Sequence, residues 1–305
     1  MRTSLLFLFL LLSATLCSER AGGQTYSQRA VEVSYTQDSK GNLFFTCNNH
    51  AFCTYIVSVE FTTFQNAKSD HTLPFVAEVR PGINKLFTVS PVKPSEDIQV
   101  KYRTSFRKGC FDPKIDTGFT YLLPMAPGKE TQVYEINKTP GEVGRDSGFA
   151  VRLRMKQGDT IYAARRGIVN AVYTGASEND AGATATDSWN YVEIVHGDCT
   201  FGLYGVFKKD GAFVHPGQPV EAGAPLGLVG GDKFGRGSDI RFSVSYYIDN
   251  GHNIQLPLVF WTRRNGKGRL KHGSTYTSEH PKTLLMQELP RSRTPAKKAP
   301  VKKKG

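Results

Sequence analysis

Apolar and polar residues alternate almost one by one through long parts of this chain. Tyr55, Val57, Val59 and Phe61 fall on one side of such a stretch, with Ile56, Ser58 and Glu60 on the other. A period of two belongs to a strand, because successive side chains there point to opposite faces. Similar runs at Leu73–Val79, Leu86–Val89, Ile98–Tyr102 and Phe119–Leu123 are separated by turn material such as Arg80-Pro81-Gly82. Short strands at this spacing predict an Ig-like β-sandwich over residues 24–125. Pro124–Lys129, with two prolines and a glycine, reads as the boundary. A second strand-rich block spans 131–277, with its clearest runs at Thr160–Ala163, Ile168–Tyr173, Tyr191–Val195, Phe201–Val206 and Ile240–Tyr247. The small, polar stretch Thr174–Ser188 fits a surface loop. From Pro281 the periodicity stops, and 281–305 reads as a basic, disordered tail. The fold class is all-β.

Composition agrees that the bulk of the chain folds. At 305 residues, 39% hydrophobic and 22% charged, it has globular proportions and length for about two domains. The net charge of +12 is concentrated at the end: seven of the positive charges lie in the last fifteen residues, without a negative one. Such a tail suits anionic envelope polymers or lipid headgroups, or serves solubility alone. It carries no aromatic residues to stack on bases, so no nucleic acid partner is expected. At the other end, Arg2 precedes an unbroken apolar run, Leu5–Leu12, too short for the roughly 20 residues that cross a bilayer. Residues 1–18 read as a signal peptide, and the protein as exported, periplasmic or extracellular, with no transmembrane segment. A lipoprotein alternative would acylate Cys17, but bulky Leu16 precedes it.

Beyond the signal, Cys47, Cys53, Cys110 and Cys199 allow three disulfide pairings. The local pair Cys47–Cys53 is expected. A thiolate metal site would want closer cysteine pairs or histidines at ligand spacing, and His50 alone offers little.

The second block contains Gly158-Asp159-Thr160-Ile161-Tyr162-Ala163, then Asn190-Tyr191-Val192-Glu193-Ile194-Val195-His196-Gly197, Tyr204, Val214-His215-Pro216-Gly217, Gly223-Ala224-Pro225-Leu226-Gly227, and Arg241-Phe242-Ser243-Val244. In order and spacing this string resembles the core of the lysostaphin-type, or LytM, zinc peptidases, which cut peptide cross-links in peptidoglycan. The resemblance runs from about Gly148 to Tyr247 and implies an antiparallel LytM-type sheet of the duplicated hybrid motif kind. The family binds zinc through an HxxxD motif and the second histidine of an HxH motif, and uses two further histidines around the attacking water. Neutral imidazoles and one carboxylate hold the ion and leave a position open for water.

Carried over from Gly158, the ligand positions fall on Gly148, Arg152 and Arg241, and the other catalytic positions on Val206 and Asp239. Guanidinium stays protonated and repels a cation. The resemblance thus implies the fold and argues against catalysis, with no cofactor expected. Two readings of Arg152, Asp239 and Arg241 stay open: a salt-bridge cluster that fills the metal's place, or a groove that holds a ligand's carboxylate or phosphate. Tyr204, His196, Arg152, Asp239 and Arg241 are the groove candidates, and His196 also fits a structural role. Relatives with eroded zinc sites act as scaffolds or activators of other wall hydrolases, so the expected partner is peptidoglycan or a cell-wall amidase or hydrolase. The alternatives are an active zinc endopeptidase with unusual ligands such as His196, His215 and Asp239, and a structural envelope assembly protein.

Overall fold

The computed structural model describes residues 30–136, 151–175, 190–231, 238–248 and 252–286. Gly148, the signal-peptide segment and the lysine-rich end of the tail lie outside the described residues. Strands dominate, as the period-two pattern requires.

The first seven strands are β1 (Val31–Gln37), β2 (Leu43–Asn49), β3 (Tyr55–Gln65), β4 (Ala67–Ser69), β5 (Phe75–Val79), β6 (Gly82–Pro91) and β7 (Gln99–Lys108). They make two antiparallel sheets, ordered β1, β2, β6, β4 and β5, β3, β7. Their inner faces share one core, in which Phe45 stacks on Phe87 at 4.6 Å between ring centres and meets Phe61 and Tyr102 edge-on at 5.6 and 5.3 Å. Offset and edge-on contacts of this kind favour aromatic packing beyond the area buried.

The rest of the chain supplies β8 (Thr120–Leu122), β9 (Glu130–Ile136), β10 (Val151–Arg154), β11 (Thr160–Tyr162), β12 (Gly167–Tyr173), β13 (Tyr191–Val195), β14 (Phe201–Gly205), β15 (Phe207–Ala212), β16 (Pro219–Val220), β17 (Pro225–Val229), β18 (Asp239–Tyr247), β19 (Asn253–Gln255), β20 (Val259–Thr262), β21 (Gly266–Gly268) and β22 (Thr275–Thr277). A nine-stranded sheet runs β16, β12, β13, β14, β18, β10, β9, β22, with β19 added on β18. One face of it, built from Val151 and Leu153, Val192 and Ile194, Tyr204, and Ile240, Phe242 and Val244, belongs to a second core. Small sheets of β11, β17, β15 and of β21, β20, β8 enclose that core.

Phe119–Leu123, grouped with the sandwich by pattern, packs in this second core instead. The Tyr121 ring meets Phe242 at 6.0 Å and Phe260 at 6.3 Å, and β8 pairs in parallel with β20, contacts made far along the chain. Likewise Lys282–Leu285 forms one helical turn, α1, with Leu285 against Gly223, so order continues past Pro281.

The end of β7 docks onto the other face of the large sheet. Lys108 Nζ pairs with Glu193 Oε1 at 2.7 Å and lies 4.5 Å from the Phe201 ring centre, while Arg107 Nη1 donates to the Tyr247 carbonyl at 3.1 Å. Burial works against the Lys108 charge, but Glu193, with Tyr247 and Cys53, more than offsets it and holds the ammonium above its ordinary pKa. Next to it, Cys110 bonds to Cys199, 89 residues away, with Cα atoms 6.0 Å apart. This corrects the expected Cys47–Cys53 pair. Cys47 sits in mid-β2, opposite Val33 and Asn84, and is buried in the sandwich core; Cys53 lies past the following turn, beside Lys108 and Glu193.

A disulfide closing so long a loop stabilises by about 2–5 kcal/mol. Cys110→Ser is therefore expected to lower the melting temperature clearly in the absence of reductant, measured by circular dichroism. Unchanged melting would contradict the docking described.

Candidate functional site

Strand alternation that sends Ile240, Phe242 and Val244 into the core sends Asp239, Arg241, Ser243 and Ser245 to the opposite face. Cross-strand partners share a face, so register extends this set across the sheet. Tyr173 pairs with Tyr191, Tyr191 with Gly205, Gly205 with Arg241, and Arg241 with Arg152. The result is a single row: two tyrosines stacked at 6.0 Å, a glycine floor, and two arginines. Tyr134 closes the far end, its hydroxyl 3.4 Å from Arg152 Nη1 and its ring 4.8 Å from the Arg154 guanidinium. Lys108 and Glu193 occupy the next part of the same face.

The two arginines stand directly opposite each other on β10 and β18, an arrangement that repels unless an anion intervenes. Asp239 intervenes. Its Oδ2 lies 3.5 Å from Arg241 Nε and 4.0 Å from Arg152 Nε, and Asp239 and Arg241 are both buried. Burial lowers the Arg241 pKa, Asp239 raises it and the neighbouring Arg152 lowers it again, with a net fall.

Residues 148–255 match the family described as Peptidase family M23. The chain carries an M23 domain. Among solved structures, the M23 domain is similar to a catalytic-domain mutant of the prophage-encoded M23 protein EnpA from Enterococcus faecalis, at 22% identity, covering 43% of this chain and 93% of that one with a TM-score of 0.32. It is similar to the lysostaphin catalytic domain from Staphylococcus simulans at 20% identity, covering 42% and 87%, with a TM-score of 0.28. A zinc-containing peptidase from Vibrio cholerae matches at 12% identity over 74% of this chain and 78% of that one, with a TM-score of 0.31. No curated protein matches the chain.

Arg152, Asp239 and Arg241 do not fit zinc. Arg152 and Arg241 have no lone pair to give, and the Asp239 carboxylate already faces both of them. Among the described residues no three His, Cys, Asp or Glu side chains come together as a metal-binding group. In particular His196, His215 and Asp239 stay apart: His196 is buried beyond the far end of β13, and His215 Nδ1 lies 3.1 Å from the Pro216 carbonyl in an exposed turn.

Of the five groove candidates, the structure brings together Arg152, Asp239 and Arg241. Tyr204 points the other way, into the core, where its hydroxyl accepts from Ala164 N–H at 2.8 Å and burial raises its pKa. His196 shares that inward face. Its ring lies over Gly202, and Nδ1–H donates to the Arg166 carbonyl at 2.7 Å. Val206 follows β14 with φ of 73°, a costly conformation for a β-branched residue, held by its N–H on the Asn190 carbonyl and its own carbonyl on Gly230 N–H. Sequence reading passed over Tyr134, Tyr173 and Lys108. The alternation that placed Arg241 outward could have found Tyr173 and Tyr191, but the approach of Lys108 depends on long-range docking.

Removing the Asp239 charge leaves two arginines face to face. Asp239→Ala is expected to cost about 3–5 kcal/mol, read by thermal or chemical unfolding, and an unchanged stability would contradict the cluster. A second expectation concerns acid. Burial, and then Arg165, lowers the His196 pKa to about 3 from 6.5. The unfolded chain takes this proton below about pH 6.5 and the folded chain refuses it until about 3, so stability is lost as the pH is lowered through that interval. His196→Gln should flatten the fall between pH 6.5 and 4 by one proton's worth, measured as melting temperature against pH; an unaltered slope would contradict it.

Proposed function

We propose that this is an exported, non-catalytic M23 protein that binds peptidoglycan through the row on the outer face of its sheet, in the setting of wall-hydrolase regulation. The observation that carries this is the row itself, in which Tyr173, Tyr191, Gly205, Arg241 and Arg152 follow one another by register. Stacked tyrosines suit a sugar or peptide plane, a glycine floor admits close approach, and guanidinium suits the carboxylates of stem peptides. Arginines at the family's ligand positions support a recognition role without zinc, since neither can hold or activate water through a metal. The basic end of the chain adds affinity for an anionic wall.

The test is co-sedimentation of the mature protein with purified peptidoglycan sacculi, followed by quantitation of bound protein. Wild type is expected to sediment, and Tyr173→Ala with Tyr191→Ala to weaken binding about tenfold or more, as removal of a central aromatic anchor does, with melting temperature checked in parallel. A wild-type protein that stays in solution, or a folded double variant that binds as well, would overturn the proposal.

A further inference from the structure

We propose that Lys108 and Asn170 join in an isopeptide bond, with Glu193 moving protons between them, so that the sandwich and the M23 domain become covalently tied through side chains. The three residues come from three strands and meet on one carboxylate. Lys108 Nζ of β7 donates to Glu193 Oε1 at 2.7 Å and to Oε2 at 2.5 Å, and Asn170 Nδ2 of β12 donates to the same Oε2 at 2.6 Å. Amine and amide are therefore two hydrogen bonds apart, across a group able to take a proton from one and give it to the other.

A β-bulge puts Asn170 there. Val169 pairs with Ile194 and Ala171 with Glu193, so Asn170 is the extra residue of β12, and its side chain turns to Glu193 on the outer face. The amide is held through its nitrogen alone: Oδ1 is buried and has no hydrogen-bond partner among the described residues. A buried polar atom left unsatisfied in a native fold calls for an explanation, and a reacting carbonyl supplies one. The surroundings are largely apolar. The Lys108 and Glu193 side chains keep only 18% and 12% of their surface, and the Phe201 and Tyr247 ring centres lie 4.5 and 5.3 Å from Nζ. Low polarity around an ion pair favours transfer of the proton from ammonium to carboxylate, which leaves two neutral groups.

The step balances without an oxidant or a cofactor. Glu193 takes a proton from Lys108 Nζ, and once the Asn170 amide rotates, the new O–H donates to Oδ1 and polarises the carbonyl. The Nζ lone pair attacks Asn170 Cγ, and the Cγ–Nδ2 bond breaks as the Nζ–Cγ amide forms. Two protons of the ammonium pass by way of Glu193 to the departing nitrogen, which leaves with the bonding pair as ammonium, and Glu193 ends as the carboxylate it was. The resting pair is charged, because Glu193 holds the Lys108 ammonium above its ordinary pKa, so the neutral amine is the minor form and the reaction is slow. The product ties β7 to β12 beside the bond that already joins Cys110 to Cys199.

The test is intact-mass spectrometry of the full chain, reduced and denatured, at intervals from purification through prolonged incubation at neutral pH, followed by tryptic peptide mapping. Wild type is expected to lose the mass of one ammonia progressively, and the loss to map to a branched peptide that joins Lys108 to Asn170. Glu193→Gln keeps the size of the side chain but cannot carry the proton, and should form the branched peptide about a hundredfold more slowly or less. Asn170→Ala should not form it at all; both variants are checked for folding by circular dichroism. Lys108 and Asn170 recovered only in linear peptides from wild type at every interval would overturn the proposal. So would an ammonia loss that maps only elsewhere, or a branched peptide formed as fast by folded Glu193→Gln.

Discussion

Two guanidinium groups opposite each other on neighbouring strands are a liability that the fold must answer locally, and Asp239 answers it. The register of β10 against β18 fixes Arg152 beside Arg241, and β18 cannot slide without exposing Ile240, Phe242 and Val244. The charges are thus held in place by the core behind them. One carboxylate two residues along the same strand sits within 4.0 Å of both. A buried arrangement of this kind is weak as a source of net stability and strong as a constraint, because removing one member leaves the others uncompensated. It also decides the chemistry of the place: a position filled by two cations and their counter-ion has no room, electrostatically, for a third cation.

The docking of the sandwich divides the same face in two. Lys108 reaches over Phe201 and Tyr247 to Glu193, and the bond from Cys110 to Cys199 fixes that approach. The half of the face toward Ser245 and Tyr247 is consumed in holding the two cores together. The half toward Arg241 and Tyr191 is where a partner can be met, and there Tyr173 remains partly open at 39% of its surface. One sheet therefore serves assembly at one end and, in the proposed reading, recognition at the other.

Much of this was legible from alternation alone. Tyr191–Val195 is a strand over the residues its pattern marked, and Phe201–Val206 and Ile240–Tyr247 differ from the observed strands by one residue at an end. The resemblance to LytM peptidases placed Arg152, Asp239 and Arg241 together, and they are together. What failed was whatever depended on distant partners. Phe119–Leu123 alternates like a sandwich strand, yet its place is set by Phe242 and Phe260. The cysteines were paired by nearness in sequence, whereas β7 carries Cys110 across to the second core. The chemistry of Tyr204 and His196 suits the groove, but the inward parity they share with Val192 and Ile194 overrides it.

The central claim is that Arg152, Asp239 and Arg241 form a salt-bridge cluster that leaves no place for zinc among them. The most direct measurement is bound zinc, by mass spectrometry, on the protein purified without a histidine tag, before and after incubation with zinc at neutral pH. Less than about a tenth of a zinc per chain is predicted, because a three-ligand site cannot be made from two arginines and one aspartate. About one zinc per chain, retained through dialysis, would contradict the account.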